Sequence, residues 1–486
     1  MSFDELTIAA LHQQFHDGTT TAVEVTQWYL DRIESSELNA IVTVNPRALE
    51  EAAEADRRWA AGAAGALEGV PVLVKDQGET SGIPTSFGNV LFAEYVPDED
   101  CTVVQRLRQA GAVILAKTTM CDFAAGWFSS SSRTGHTSNA YAAERDSGGS
   151  SAGTGAGVAG NLGLVGVGED TGGSIRIPSS FNNLFGLRVT TGLVSRTGFS
   201  PLVHFQDTPG PMARTVDDLA RLLDVLVGYD PADEYTVVAA TMATAPYREA
   251  LADVGETIGL RVGVLESGFG SDDDPRCAPV NTAVRAAIAD LARLGADIVE
   301  GLKVDDLAER IAETSVYVKQ SRSDVTAFLQ GRGGPVSSFD EMYERGAFNP
   351  ENDLWHGIAT GPADPLSDIE YLTLRLNQEY FRRHMLSIFA DHDLDVLVYP
   401  TVQVVPPTHA ELSDGLYSAL TFPTNTVIGS QAGLPALSVP VGFTADGLPV
   451  GLEVLGTSFA EPTLLAFAKA WEAAMSPRKA PGVVVG

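Results

Sequence analysis

Arg145–Asn161 reads RDSGGSSAGTGAGVAGN, and this stretch can be parsed in three ways. G-x-S-x-G falls around Ser151, G-x-G-x-x-G runs from Gly155 to Gly160, and Gly148–Ser151 sets two glycines before two serines. A dinucleotide loop needs a strand directly before its glycines and an acidic residue about 20 positions later. Here the preceding RDSGGSS is polar and turn-like, and Asp170 follows Gly160 by only ten residues. No G-K-[ST] follows, so a P-loop fails as well. A nucleophile elbow at Ser151 needs an apolar strand leading into it, with an acid and then a histidine further on. His204, His356, His384, His392 and His409 are available as bases, but no such strand precedes Gly149. The elbow is kept as an alternative, an α/β-hydrolase-type esterase acting through Ser151. The continuation VAGNLGLVGVG is too apolar for a tether, and its small residues suit close approach of packed backbones.

Working outward, GVPVLVKD (Gly69 to Asp76) is a short β-branched run between turn formers, which predicts a buried strand ending at Lys75. VVQRLRQAGAVILAKTT and TAVRAAIADLARLGADIVEG each predict a helix, a glycine stop (Gly111, Gly295) and a following strand. The first ~60 residues read as helices, with Thr20 or Thr21 as a cap, Pro46 as a start and Gly62 as a stop. SVPVGFTADGLPVGLEVLG predicts two strands joined at TADGL. Residues 230–256 and 330–366 carry few periodic signals and read as loops or insertions. Such alternation predicts the α/β class: a single large domain with a mixed, mostly parallel central sheet covered by helices on both faces. Without a linker or repeat, 1–486 is one domain. It divides into an N-terminal helical segment (1–62), a catalytic core (63–220), a variable substrate-side region (221–395) and C-terminal core strands with a helix (396–486).

The formal net charge of −31 argues against nucleic-acid binding, which needs clustered lysine and arginine. Three widely spaced cysteines make neither a disulfide framework nor a Cys/His metal motif. With no basic leader and no apolar run long enough for a bilayer, the expectation is a cytoplasmic protein without membrane attachment.

A third parsing draws on residues elsewhere. In GVGEDTGGSIRIPSS, Ser174 directly follows Gly172-Gly173, and consecutive small residues there expose backbone N–H groups to a developing oxyanion. A buried, desolvated Lys75 loses basicity and becomes a base near neutral pH. Ser150 can pass a proton between Ser174 and Lys75, which activates an otherwise weak nucleophile.

Lys75 in GVPVLVKD, GGSS at Gly148–Ser151 and EDTGGSIRIP together resemble the amidase signature family, and the 24-residue separation of Ser150 and Ser174 matches its spacing. GLRVTTGLVSRTG, DTPGPMARTVDDLA and AGLPALSVPVGFTADGLPVGLEVLG resemble its flanking blocks, so the likeness spans about residues 20–475. The resemblance implies Ser174 as acyl-forming nucleophile, Ser150 as a bridging serine in a cis peptide, and Lys75 as base. It implies an oxyanion hole from the N–H groups of Thr171, Gly172, Gly173 and Ser174, with Asp170 and Arg176 holding that loop. Departures are Ala152 in GGSSAG, Glu169 in place of the usual threonine, and Arg188-Val189 in GLRVT.

The resulting expectation is an amide hydrolase needing neither metal nor cofactor. Its partner would be a small-molecule amide, anilide or ester of apolar or aryl type. Urethane or carbamate hydrolysis is the adjacent alternative. A glutaminase subunit of a tRNA-dependent amidotransferase is another, but Pro423 stands where that subunit carries an aspartate. Trp127 is a candidate for the substrate pocket, Phe123 and Phe128 being equally suited to the core. Similar enzymes are often homodimers.

Overall fold

Strand formation follows the short β-branched runs. The computed structural model describes residues 2–242 and 246–482. Eleven strands form one sheet among these residues: β1 (Ile41–Val44), β2 (Pro71–Lys75), β3 (Val113–Thr118), β4 (Val165–Glu169), β5 (Phe185–Arg188), β6 (Pro209–Ala213), β7 (Arg261–Leu265), β8 (Asp297–Leu302), β9 (Val396–Pro400), β10 (Ala436–Phe443) and β11 (Pro449–Leu455). Their order is β1-β3-β2-β4-β6-β5-β10-β11-β9-β7-β8. The sheet is mixed. Parallel pairing is confined to two blocks, β3-β2-β4 and β9-β7-β8, and the other six of the ten pairings are antiparallel. The parallel share is therefore smaller than the helix–strand alternation suggests, because short strands and the β10–β11 hairpin fill the middle.

Side chains alternate between the two faces, as strand geometry requires. In β9, Val396 and Val398 join one core with Val284, Ile288 and Leu291 of the helix Ala278–Arg293. Leu397 and Tyr399 face the other way, toward Phe381, Met385 and Phe389 of the helix Ile369–His392. Helices thus cover both faces. A further cluster, rich in aromatics, gathers Phe87, Phe92, Phe123, Trp127, Tyr317, Phe328 and Trp355.

Local signals behave as expected. Thr21 caps Ala22–Glu34 with a reciprocal bond from Glu24, satisfying two otherwise orphaned donors. Gly111 and Gly295 adopt φ of 87° and 93° just past helices that end at Gln109 and Arg293, a conformation costly for residues with a Cβ. Three expectations need correction. The N-terminal segment is not purely helical, since Ile41–Val44 pairs with β3 as an edge strand. Residues 230–256 hold a helix at Val237–Met242, and 330–366 hold Phe339–Glu344 and Leu354–Ala359. These short helices bury only one to three residues each, too few for a periodic pattern.

Candidate active site

The centre of the candidate site lies at the C-terminal ends of two parallel neighbours. β2 ends at Lys75 and β4 at Glu169, with Val74 opposite Val167 in register. All residues of both strands are buried, so their terminal side chains emerge below the surface. Lys75 Nζ donates to Ser150 Oγ at 2.8 Å and to the Glu169 carbonyl at 3.1 Å. Glu169 Oε2 lies 3.5 Å from the same nitrogen.

Ser150 follows a cis peptide bond from Gly149. Gly149 is packed so tightly on Phe128 that an added Cβ would stand 2.2 Å from the Phe128 carbonyl oxygen. Its N–H donates to the Trp127 carbonyl at 2.8 Å. Ser151 starts the helix Ala152–Ala159 and donates its backbone N–H to the Ser174 carbonyl at 3.1 Å, tying the two serine loops together. Its hydroxyl bridges the backbone of Glu169, donating to the carbonyl and accepting from the N–H, both at 3.2 Å. No histidine meets it among the described residues, and no strand precedes Gly149, so the elbow at Ser151 lacks its context.

The loop Thr171–Ser174 is built to hold its N–H groups free. Among the described residues none of these four finds a protein acceptor, which is rare for buried donors. The loop is fixed instead through its carbonyls. Thr426 Oγ1 donates to the Gly172 carbonyl at 2.7 Å, and Gln206 Nε2 to the Thr171 carbonyl at 2.7 Å. Both glycines are sterically required. A Cβ on Gly172 would stand 2.3 Å from Trp127 and from the Tyr317 hydroxyl, and one on Gly173 (φ 149°) 2.0 Å from Thr426 Oγ1. Trp127 therefore walls the loop while packing edge-on to Tyr317. Phe123 sits in the aromatic core, and Phe128 packs against Phe422.

Behind the loop, Asp170 receives both arms of a guanidinium, Arg176 Nε and Nη2 each at 3.0 Å, and a bond from Arg188 at 3.2 Å. Arg176 also pairs with Glu453 and donates to Ser430 Oγ at 2.7 Å. Burial alone would raise Asp170, but the two arginines outweigh it and hold the carboxyl at about 2. Asp170 and Arg176 thus lock the loop from below.

Two shifted groups meet at the front. Burial pushes the Lys75 ammonium down, with the Glu169 carboxyl acting in the opposite sense. Burial raises Glu169 to about 7, assisted by the nearby Asp207 carboxylate and opposed by Lys75. Asp207 is itself raised by burial, and it accepts from Thr171 Oγ1 at 2.6 Å. A lysine with reduced basicity beside a carboxyl with reduced acidity is a pair that burial drives toward neutrality.

The site thus brings together Lys75 and Ser150, and links Ser174 to them through Ser151. Gln206, Asp207, Tyr317 and Thr426 were missed from the sequence. They lie 32 to 252 residues from Ser174; Asp207 opens the block DTPGPMARTVDDLA, but nothing in that block ties it to the Thr171 hydroxyl.

Known proteins resemble the chain over nearly its whole length. The model of the Amidase family matches residues 24–465. One subunit of the glutamyl-tRNA(Gln) amidotransferase of Ralstonia nicotianae is 36% identical, covering 96% of this chain and 97% of that protein. The solved peptide amidase of Stenotrophomonas maltophilia is 30% identical with a TM-score of 0.87, covering 99% of each chain. The corresponding glutamyl-tRNA(Gln) amidotransferase subunit from Thermotoga maritima superposes with a TM-score of 0.74 at 25% identity, covering 97% of this chain and 95% of that one.

Proposed function

The chain belongs to the amidase signature family, and from that premise we propose that it hydrolyses carboxamide bonds through an acyl-enzyme on Ser174. The observation that carries this reading is the 2.8 Å contact of a fully buried Lys75 with Ser150 beside the open N–H groups of Thr171–Ser174. Neutral Lys75 draws a proton from Ser150, which draws one from Ser174 as its Oγ attacks the substrate carbonyl. The N–H groups of Thr171, Gly172, Gly173 and Ser174 receive the oxyanion. The Lys75 ammonium returns its proton to Ser150, which protonates the departing amine, since an amide anion leaves poorly. Water activated by the same relay releases the acid.

The aromatic cluster around Trp127, which borders Gly172, favours apolar or aryl acyl and amine groups. Aryl carbamates react by the same attack. Three free, buried cysteines accord with a reducing, cytoplasmic setting. Among the described residues no helix is long and apolar enough to cross a membrane.

A second reading rests on the 36% identity to an amidotransferase subunit: the chain would release ammonia from glutamine for a partner. Pro423, whose carbonyl accepts from Gln403, supplies no carboxylate at the position where that activity carries one. One experiment separates the two. Peptide amides, nitroanilides, aryl carbamates and glutamine are assayed with wild type and Ser174→Ala. Turnover of the first three without a partner, lost in Ser174→Ala, supports the stand-alone hydrolase. Glutamine as the sole substrate supports the subunit reading, and activity that survives Ser174→Ala refutes both.

A further inference from the structure

Outside the candidate active site, one cluster has the chemistry of a metal centre. His136, Asp146 and His409 come from two loops and a helix start, and their potential ligand atoms all lie within 4.8 Å of one another. Three features set this cluster apart from an ordinary polar contact.

The first is orientation. His136 Nε2 faces Glu351 Oε2 at 3.2 Å, and Glu351 is held in turn by Ser413 Oγ at 2.6 Å. A carboxylate on one ring nitrogen fixes the tautomer and turns the lone pair of the other outward, the usual outer-shell support of a metal-bound histidine. That other nitrogen, Nδ1, is buried without a hydrogen-bond partner and stands 4.0 Å from Asp146 Oδ2. The second is the matching nitrogen on His409. Its Nε2 is also buried without a partner, while the ring contacts the Thr137 backbone. The third is the rigidity of the carboxylate. Asp146 is fully buried and accepts from Ser129 Oγ at 2.5 Å and from the Gly148 N–H at 2.7 Å. Two stacked imidazoles, each with a buried nitrogen that has no hydrogen-bond partner among the described residues, lie beside one buried carboxylate and leave polar capacity that a cation would satisfy.

We propose that His136, Asp146 and His409 form a binding site for a divalent transition metal of the zinc type, with Glu351 as the outer-shell partner of His136. Two imidazoles and one carboxylate suit zinc and its neighbours rather than calcium or magnesium, which take oxygen ligands. Tetrahedral coordination at about 2.0–2.1 Å places ligand atoms about 3.4 Å apart. From a spread of 4.8 Å, the three side chains therefore need to close by about 1.4 Å at most, within reach of χ rotations in two half-exposed histidines. A water would complete the shell. The site has no part in the proposed acyl chemistry. It would brace the chain entering the serine loop, because Asp146 bonds the N–H of Gly148, two residues before Ser150.

The sequence hides this centre, since the three ligands occupy positions 136, 146 and 409 with no metal-binding spacing. To test it, chelator-treated full-length protein is titrated with Co²⁺ by visible absorption and with Zn²⁺ by calorimetry. The expected result is one equivalent bound, with tetrahedral d–d bands for Co²⁺ and no competition from excess Mg²⁺ or Ca²⁺. His136→Gln and His409→Gln should each abolish the bands, and Glu351→Gln should weaken Zn²⁺ binding about 10- to 100-fold. Asp146→Asn risks misfolding, so the histidine variants decide the matter. Absence of stoichiometric binding by wild type, or binding retained by both histidine variants, overturns the proposal.

Discussion

Glu169 stands where the family usually has threonine, and its effect on Lys75 can be worked out. Its Oε2 lies 3.5 Å from the lysine nitrogen, a separation at which unit charges interact by about 5 kcal/mol at an effective dielectric of about 20. That figure bounds the change in proton affinity at about 3.5 pH units, and mutual neutralisation of the pair reduces it. The sign follows from the charges. Above about pH 7 Glu169 is ionised and favours the ammonium form of Lys75, which cannot accept a proton from Ser150. Cys121, Asp170 and Asp207 also face the pair, but Cys121 is kept as the thiol by burial and Asp170 is neutralised by Arg176 and Arg188. Glu169→Gln keeps the shape and the acceptor for Thr208 N–H while removing the charge. The acid limb of the pH profile should then move to lower pH by about one unit or more, and its two-group shape should collapse to a single ionisation. The assay is the rate of Ser174 labelling by a fluorophosphonate across pH 5–10, which needs no knowledge of the natural substrate. A limb that stays in place, or moves to higher pH, refutes the coupling and leaves Glu169 a packing residue.

The remaining predictions concern the loops and their support. Ser174→Ala should abolish turnover and labelling while Ser151→Ala retains a measurable share, and the reverse ranking would restore the elbow reading. Gly173→Ala, whose Cβ would stand 2.0 Å from Thr426 Oγ1, should lower kcat by about 10²–10³ through displaced oxyanion donors; steady-state kinetics showing an unchanged kcat would count against the loop's role. Arg176→Met leaves Asp170 and Glu453 buried without their shared counter-charge and should cost about 3–5 kcal/mol in urea unfolding. Asp170 is held at about 2, below its usual range. Its contribution to stability is therefore present above about pH 4 and is lost as pH falls toward 2. Unfolding curves of wild type and Arg188→Met over pH 2–5 should converge at the acid end, and a constant difference would contradict this.

What the sequence conveyed depended on how local the signal was. The β2 run is bounded by turn formers and uniformly apolar, so Lys75 could be placed at a buried strand end from eight residues. Gly111 and Gly295 act through their own backbones and were equally plain, whereas the cap was narrowed only to Thr20 or Thr21, and the structure gives it to the Thr21 hydroxyl. Strand β6, PGPMA, was invisible, since proline and glycine are depleted in strands and only its neighbours hold it in the sheet. Ile41–Val44 was lost for the opposite reason, being four residues long and set between two strong helices. At the site, the GGSS and TGGS blocks announced themselves, whereas Gln206, Asp207, Tyr317 and Thr426 contribute single side chains from distant segments. A contact made by one residue across such a distance leaves no periodicity to read.

The two adjacent serines of the opening stretch divide their work between a strand end and an amine. The hydroxyl of Ser151 spans the N–H and carbonyl of Glu169, and that same carbonyl accepts from Lys75 Nζ. Ser151 is therefore a strut on the end of β4, holding the acceptor that aims the lysine. Ser150, one residue earlier, accepts directly from the same amine. Neither role could pass to the neighbour, because a hydroxyl spent on a strand terminus cannot also receive the Lys75 nitrogen. The G-x-S-x-G match thus marks the residue that holds the acceptor of Lys75 in place, and under the proposed mechanism the relay falls to the serine that the motif passes over. Glu169 joins both halves: its backbone carries the strut and its side chain carries the charge. A threonine at 169 could keep the first function but not the second, so the carboxylate is the charged group that most strongly opposes the loss of basicity that burial imposes on Lys75.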